Sequence, residues 1–147
     1  MTSSLTITRH PYEEPYHVNL IVCAATDGVV AEQEIYTNAT DLQEFAQAMI
    51  GFPKQANDVF KWELGSEAPE ENFAFYFCLE VRKIRARGRC AVHIRFNNNK
   101  DDPHRRVAEF SFGAVPSDLD RLGRLMAVFA QLDTPVLEWG VEDDVLA

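Results

Sequence analysis

Two segments of the chain carry apolar side chains at helical spacing, and most of what lies around them alternates with period two. In the first, Leu42, Phe45, Ala46, Met49 and Ile50 fall at i, i+3, i+4, i+7 and i+8, a single stripe closed by Gly51 and Pro53. Thr40-Asp41-Leu42-Gln43 has the form of a capping box, which predicts a helix start at Thr40. In the second, Leu119, Leu122, Leu125, Met126, Phe129 and Leu132 form the stripe. Ser117 is its expected N-cap, Asp118 and Asp120 place negative charge at the positive end of the helix dipole, and Pro135 follows its end. Each helix has one greasy side, so both need an apolar surface to cover.

The period-two runs supply that surface. Residues 16–25 put Val18, Leu20, Val22 and Ala24 on one side, and Asp27-Gly28 provides the positive φ of a hairpin turn. The return run 29–36 carries Glu32, Glu34 and Tyr36 on its solvated side. Further strands are predicted at 58–64, 73–82, 89–96 and 107–112, with a short edge strand at 136–139. In the most aromatic of them, Phe73, Phe75, Phe77, Leu79 and Val81 face one way and Tyr76, Cys78 and Glu80 the other. The order β-β-α-β-β-β-β-α predicts an α+β two-layer sandwich, a curved antiparallel sheet with both helices on one face. Leu42, Phe45, Leu122 and Phe129 are expected to meet Phe75, Phe77 and Ile94 in a common interior. One domain spans 1–147, with a flexible lead-in of about fifteen residues and a loose tail at 140–147. The sequence reads without an internal repeat or a linker.

Composition narrows the function classes. The chain has 23 acidic against 14 basic residues, a net charge of -9, which disfavours nucleic acid as a partner. Its 46% hydrophobic content argues against disorder. No apolar run approaches the ~20 residues of a membrane span, and the first fifteen residues lack a signal-type apolar core, so a cytoplasmic protein without membrane contact is expected. Cys23, Cys78 and Cys90 are odd in number and lack CxxC spacing; Cys78 and Cys90 are placed on opposite sheet faces, which argues against a disulfide between them. His10, His17, His93 and His104 form no ligand spacing, so no metal or cofactor is expected. Glu67, Glu70 and Glu71 read as a wet loop, and Asn97-Asn98-Asn99 as a turn-rich one whose amides bond its own backbone. GxSxG, P-loop and GxGxxG patterns are missing, and no catalytic residue is assigned.

The basic residues are concentrated. Residues 82–106 carry nine Lys or Arg against two acids, an island on an acidic protein. Arg82, Arg85, Arg87 and Arg89 lie in one strand-turn-strand, where like charges repel unless an anion or acidic surface compensates them. They are the candidate anion-binding set of an alternative reading, a small-ligand or anion-binding domain.

The strand order together with the segments WELGSEAPEENFAFYF and RFNNN resembles a family of uncharacterised bacterial proteins of similar length. More distantly it is similar to small cytosolic immunity proteins that neutralise polymorphic or contact-dependent toxins, including the wall-associated toxin immunity type. The resemblance implies a non-enzymatic protein-binding module whose partner is a cationic toxin domain, steered in by acidic charge and held by aromatic anchors. The expected contact surface is the sheet face away from the helices, with Glu32, Glu34, Tyr36, Tyr76, Glu80 and His93. Self-association is left open.

Overall fold

A computed structural model describes residues 2–55, 58–84 and 88–142. Its strands are β1 (Thr2–His10), β2 (Val18–Thr26), β3 (Val29–Thr37), β4 (Val59–Gly65), β5 (Tyr76–Lys83), β6 (Cys90–Asn97), β7 (Val107–Ala114) and β8 (Val136–Glu142). Helix α1 (Ala39–Met49) lies between β3 and β4, and α2 (Pro116–Phe129) between β7 and β8. The α+β class holds, all strand pairs being antiparallel. The single curved sheet does not. There are two four-stranded sheets, sheet A in the order β3-β2-β1-β8 and sheet B in the order β4-β5-β6-β7.

Strand β1 stands where a loose lead-in was expected. Ser3, Leu5 and Ile7 are buried while Thr2, Ser4, Thr6 and Thr8 turn outward, and the strand pairs with β2 on one side and β8 on the other. Strand β8 therefore runs beyond Trp139 to Glu142 and is one edge of sheet A, its pairing with β1 bringing the first and last strands side by side.

The element order is a duplication, βββαβ followed by βββαβ, with the last strands exchanged. β4 leaves the first half to pair with β5, and β8 leaves the second half to pair with β1. The registers match: Trp62 of β4 stands opposite Leu79, and Trp139 of β8 opposite Leu5. At a constant shift of 77 residues, Asp41, Leu42, Met49, Phe52, Val59 and Trp62 recur as Asp118, Leu119, Met126, Phe129, Val136 and Trp139. All except the two valines and two aspartates are buried. What repeats is chiefly the interior, an internal repeat that the sequence reading passed over.

The helices pack on each other at this pseudo-twofold. Gly123 faces Ala46, and a Cβ on Gly123 would come within 2.8 Å of the Ile50 backbone nitrogen and 2.9 Å of the Ala46 carbonyl oxygen. The close approach lets Leu42, Phe45, Leu122 and Phe129 share one interior with Phe77 and Ile94, with Phe75 packed against it, as the stripes predict. A file of rings crosses that interior: Phe45 to Trp62 to Phe77 to Phe96, at centroid separations of 5.4, 5.0 and 5.8 Å.

Both helices start earlier than their capping patterns imply. Asn38 caps α1, its side chain accepting from the Asp41 amide at 2.8 Å. Pro116 occupies the first turn of α2, where its missing N–H costs nothing, and the Asp118 carboxylate accepts from the Val115 amide at 3.1 Å. Among the described residues no helix is long and apolar enough to cross a membrane.

Candidate functional site

Alternation along each strand leaves both sheets an outward face, and the two faces differ in chemistry. On sheet B the charged groups are paired with one another. Lys61 lies 3.5 Å from Glu63, and Arg82 3.5 Å from Glu80. Arg95 grips Glu67 through Nε and Nη2, the latter at 2.7 Å, and also reaches Glu109 at 3.3 Å. This charge-assisted contact, with a further bond from Asn97 at 2.6 Å, holds the Glu67 carboxyl below the ordinary carboxylate range.

In the middle of the same face His93 sits between two β7 side chains. Its Nδ1 lies 2.6 Å from Ser111 Oγ and its Nε2 2.8 Å from Glu109 Oε2. The cross-strand register sets His93 opposite Ser111, with Glu109 two residues away on the same side. If Nε2 carries the proton for Glu109, Nδ1 is left to accept from the serine hydroxyl, the arrangement of a base beside a nucleophile. Ser111 is exposed, however, and lies in a shallow depression shared with Tyr76, Arg95 and Glu109, which leaves it open to water. Neighbouring Tyr76 donates to Glu63, and burial together with this bond pushes its phenol strongly upward, so it stays protonated. Burial likewise raises the Cys78 thiol beside it.

On sheet A the outward face has an uncharged middle and acidic margins. One row crosses all four strands: Glu32 of β3 opposite Cys23, Cys23 opposite Thr6, and Thr6 opposite Glu138 of β8. Glu34 adds to the β3 margin and Glu142 to the β8 margin, and all four glutamates are exposed. Three strand spacings put the margins ~14 Å apart. The four strands' outward positions include no Lys or Arg. Beside β3 the surface turns toward sheet B, where Lys100 and Arg106 join Glu32 and Glu34 around a depression.

Aromatic rings gather at one end of the acidic face. Tyr36, 48% exposed, meets Tyr12 edge to face at 5.9 Å, and Tyr12 meets His17 at 6.2 Å. Tyr16 of the same β1–β2 connection is 79% exposed. Asn19, opposite Tyr36, donates to Glu34 at 3.2 Å and holds that carboxylate beside the rings.

The six residues expected on one contact surface thus fall into two groups. Glu32, Glu34 and Tyr36 belong to the outer face of sheet A, whereas Tyr76, Glu80 and His93 belong to that of sheet B, where Glu80 and His93 stand opposite each other. Of the candidate anion set, Arg85 and Arg87 lie outside the described residues; Arg82 is paired with Glu80, and Arg89 also has an interaction partner. The sequence reading missed Tyr12, Tyr16, Glu138 and Glu142. The period-two pattern of Leu5 and Ile7 among serines and threonines was the available signal for β1, and β1 is what brings β8 alongside.

A comparison with protein-family models finds no match, and a comparison with curated proteins finds none either.

Proposed function

We propose that the chain is a non-catalytic protein-binding module that captures a cationic partner on the outer face of sheet A. The observation that carries this reading is the contrast between the faces. Four glutamates stand on the margins of sheet A without a lysine or arginine on its outward positions, while the charges of sheet B satisfy one another. Cations stand only beside the margins, Lys100 and Arg106 near β3 and Arg121 at Gly140 of β8, and an outward face with acidic margins steers an oppositely charged partner into place. Tyr36, Tyr12 and Tyr16 supply the aromatic anchors beside it, of the kind on which arginine and lysine side chains stack. With the resemblance to immunity proteins, the finer proposal is an immunity-type inhibitor of a bacterial toxin, acting in the cytoplasm by covering the basic surface of the toxin domain.

The test is retention of protein partners from the source cell on immobilised chain, compared with a variant carrying Glu32→Gln, Glu34→Gln, Glu138→Gln and Glu142→Gln. The reading predicts a basic protein held by the wild type, released by salt and lost on the variant. Equal retention by the variant, or recovery of a small metabolite in place of a protein, would overturn it.

One observation favours a second reading, a hydrolase acting through Ser111, His93 and Glu109. Covalent labelling of Ser111 by a fluorophosphonate, abolished by His93→Gln, would establish that chemistry and displace the non-catalytic reading.

A further inference from the structure

At the opposite end of sheet B from the basic hairpin, the β4–β5 and β6–β7 connections are fastened together into a rigid polar cup. Asn99 donates to the Ser66 carbonyl at 2.8 Å and to the Phe73 carbonyl at 3.0 Å, tying one connection to the other. Asn97, 2% exposed, donates to Glu67 and accepts from the Asn99 amide at 2.8 Å. Gly65 makes the loop's return possible: at φ +79° a Cβ there would lie 2.0 Å from the Phe75 carbonyl oxygen. Asn72 and Asn99 adopt the left-handed region, at φ 56° and 55°, strain that the surrounding hydrogen bonds hold in place.

The cup so formed is lined by Glu67, Asn72, Phe73, Lys100, Asp101 and Arg105 among others. Its scaffold groups are consumed internally: Glu67 by Arg95 and Asn97, and Asn99 by the two carbonyls. The side chains of Asn72, Lys100, Asp101 and Arg105 make no hydrogen bond or ion pair with other described residues, and Phe73 is 51% exposed. The groups left over comprise the donors of Lys100 and Arg105, the acceptor carboxylate of Asp101 and the Asn72 amide, which is both, while the Glu67 carboxylate is already held by Arg95.

We infer that this cup is a binding site for a neutral sugar unit, a monosaccharide or the terminal residue of a glycan. Neighbouring sugar hydroxyls each donate and accept, so they match a lining that offers both, and planar carboxylate, amide and guanidinium groups can span two hydroxyls at once. A half-exposed phenyl ring gives the sugar's C–H face an apolar platform. An anion would use Lys100 and Arg105 but crowd the Asp101 carboxylate, whereas hydroxyl groups, which donate as well as accept, can use all three, and this favours a ligand without net charge. The hydrogen bonds that fix the cup in advance reduce the ordering a ligand must impose.

The test is a titration of the intact chain, followed by ligand-observed NMR, with a panel of methyl glycosides of glucose, galactose, mannose, N-acetylglucosamine and ribose. Inorganic phosphate and free glycine serve as comparison ligands. At least one glycoside is expected to bind with Kd on the order of 1 mM. Phe73→Ala and Arg105→Gln should each weaken it about fivefold or more, ~1 kcal/mol. Both side chains are exposed and outside the fold's hydrogen bonds, so thermal melting of the variants should match the wild type. Binding of no glycoside, binding unchanged in both variants, or binding of phosphate or glycine in preference to every glycoside would each overturn the inference. Its failure leaves the acidic face of sheet A untouched, because Phe73 and Arg105, the residues changed in the test, do not border that face, although Lys100 lines both the cup and the depression beside β3.

Discussion

Trp62 and Trp139 occupy the same position in the two exchanged strands, yet only Trp139 has a partner for its indole N–H. Trp139 Nε1 donates to the Asp118 carbonyl at 2.9 Å, whereas Trp62 Nε1 is buried and unbonded. The duplicated interior is therefore matched in shape and unequal in polarity.

This inequality predicts unequal costs for the same substitution. Trp62→Phe removes a buried donor that has nothing to bond, a loss that offsets part of the packing defect, whereas Trp139→Phe removes a made bond as well. Trp139→Phe should be the more destabilising by ~1 kcal/mol in urea unfolding. Equal costs, or the reverse order, would contradict the account of the two sites.

Gly123→Ala sets two effects against each other. In an exposed helix interior the change gains about 1 kcal/mol from helix propensity. Here the new methyl would lie 2.8 Å from the Ile50 nitrogen and 2.9 Å from the Ala46 oxygen, backbone atoms that cannot swing aside. Overpacking of this kind costs ~1–3 kcal/mol and should win, giving a net loss in thermal unfolding. A stabilised variant would show that the helices do not cross at this point.

The Glu67 carboxyl, held low by Arg95, predicts part of the acid sensitivity. A carboxyl whose folded pKa lies below its unfolded value of 4.5 contributes stability that is fully present above pH 4.5 and is lost as pH falls through the folded value. The urea midpoint of the wild type should therefore fall more steeply below pH 4.5 than that of Glu67→Gln. Parallel curves would rule out the Arg95–Glu67 contact as a contributor.

The three thiols should react slowly in the folded chain. Burial raises Cys23, Cys78 and Cys90 above the ordinary thiol range, with Glu32 adding to the effect at Cys23. At neutral pH each then holds less thiolate, the reactive form. Alkylation by iodoacetamide should be at least about tenfold slower in the native protein than in urea. Rapid native labelling of Cys78 would contradict its placement against Tyr76.

Facing was legible in the sequence, and neighbourhood was not. The alternation through Phe77, Leu79 and Val81 and the stripe through Leu42, Phe45 and Met49 state which side chains go inward, and those residues are buried. Period says nothing about which strand lies next to which. Glu138 could not be set across from Thr6 without knowing that β8 returns to β1, nor could Glu32 be separated from Glu80 without knowing that the layer is two sheets. The repeat was hidden by loop lengths. A two-residue turn joins β2 to β3 and nine residues join β6 to β7, so the halves align at a fixed shift only from β3 and β7 onward. Capping failed locally for a different reason: Asn38 and Thr40 are both good caps, and tertiary contacts, here the Pro15 carbonyl bonded to the Ala39 amide, chose the earlier start.

Photo-crosslinking in the source cell tests the recognition face most directly, with a photoreactive amino acid at position 6, mid-row on sheet A, or at position 91 on the outer face of sheet B. The account predicts a covalent protein adduct from position 6 that disappears when Glu32 and Glu138 are changed to glutamine, and none from position 91. An adduct from position 91 with none from position 6 would contradict it.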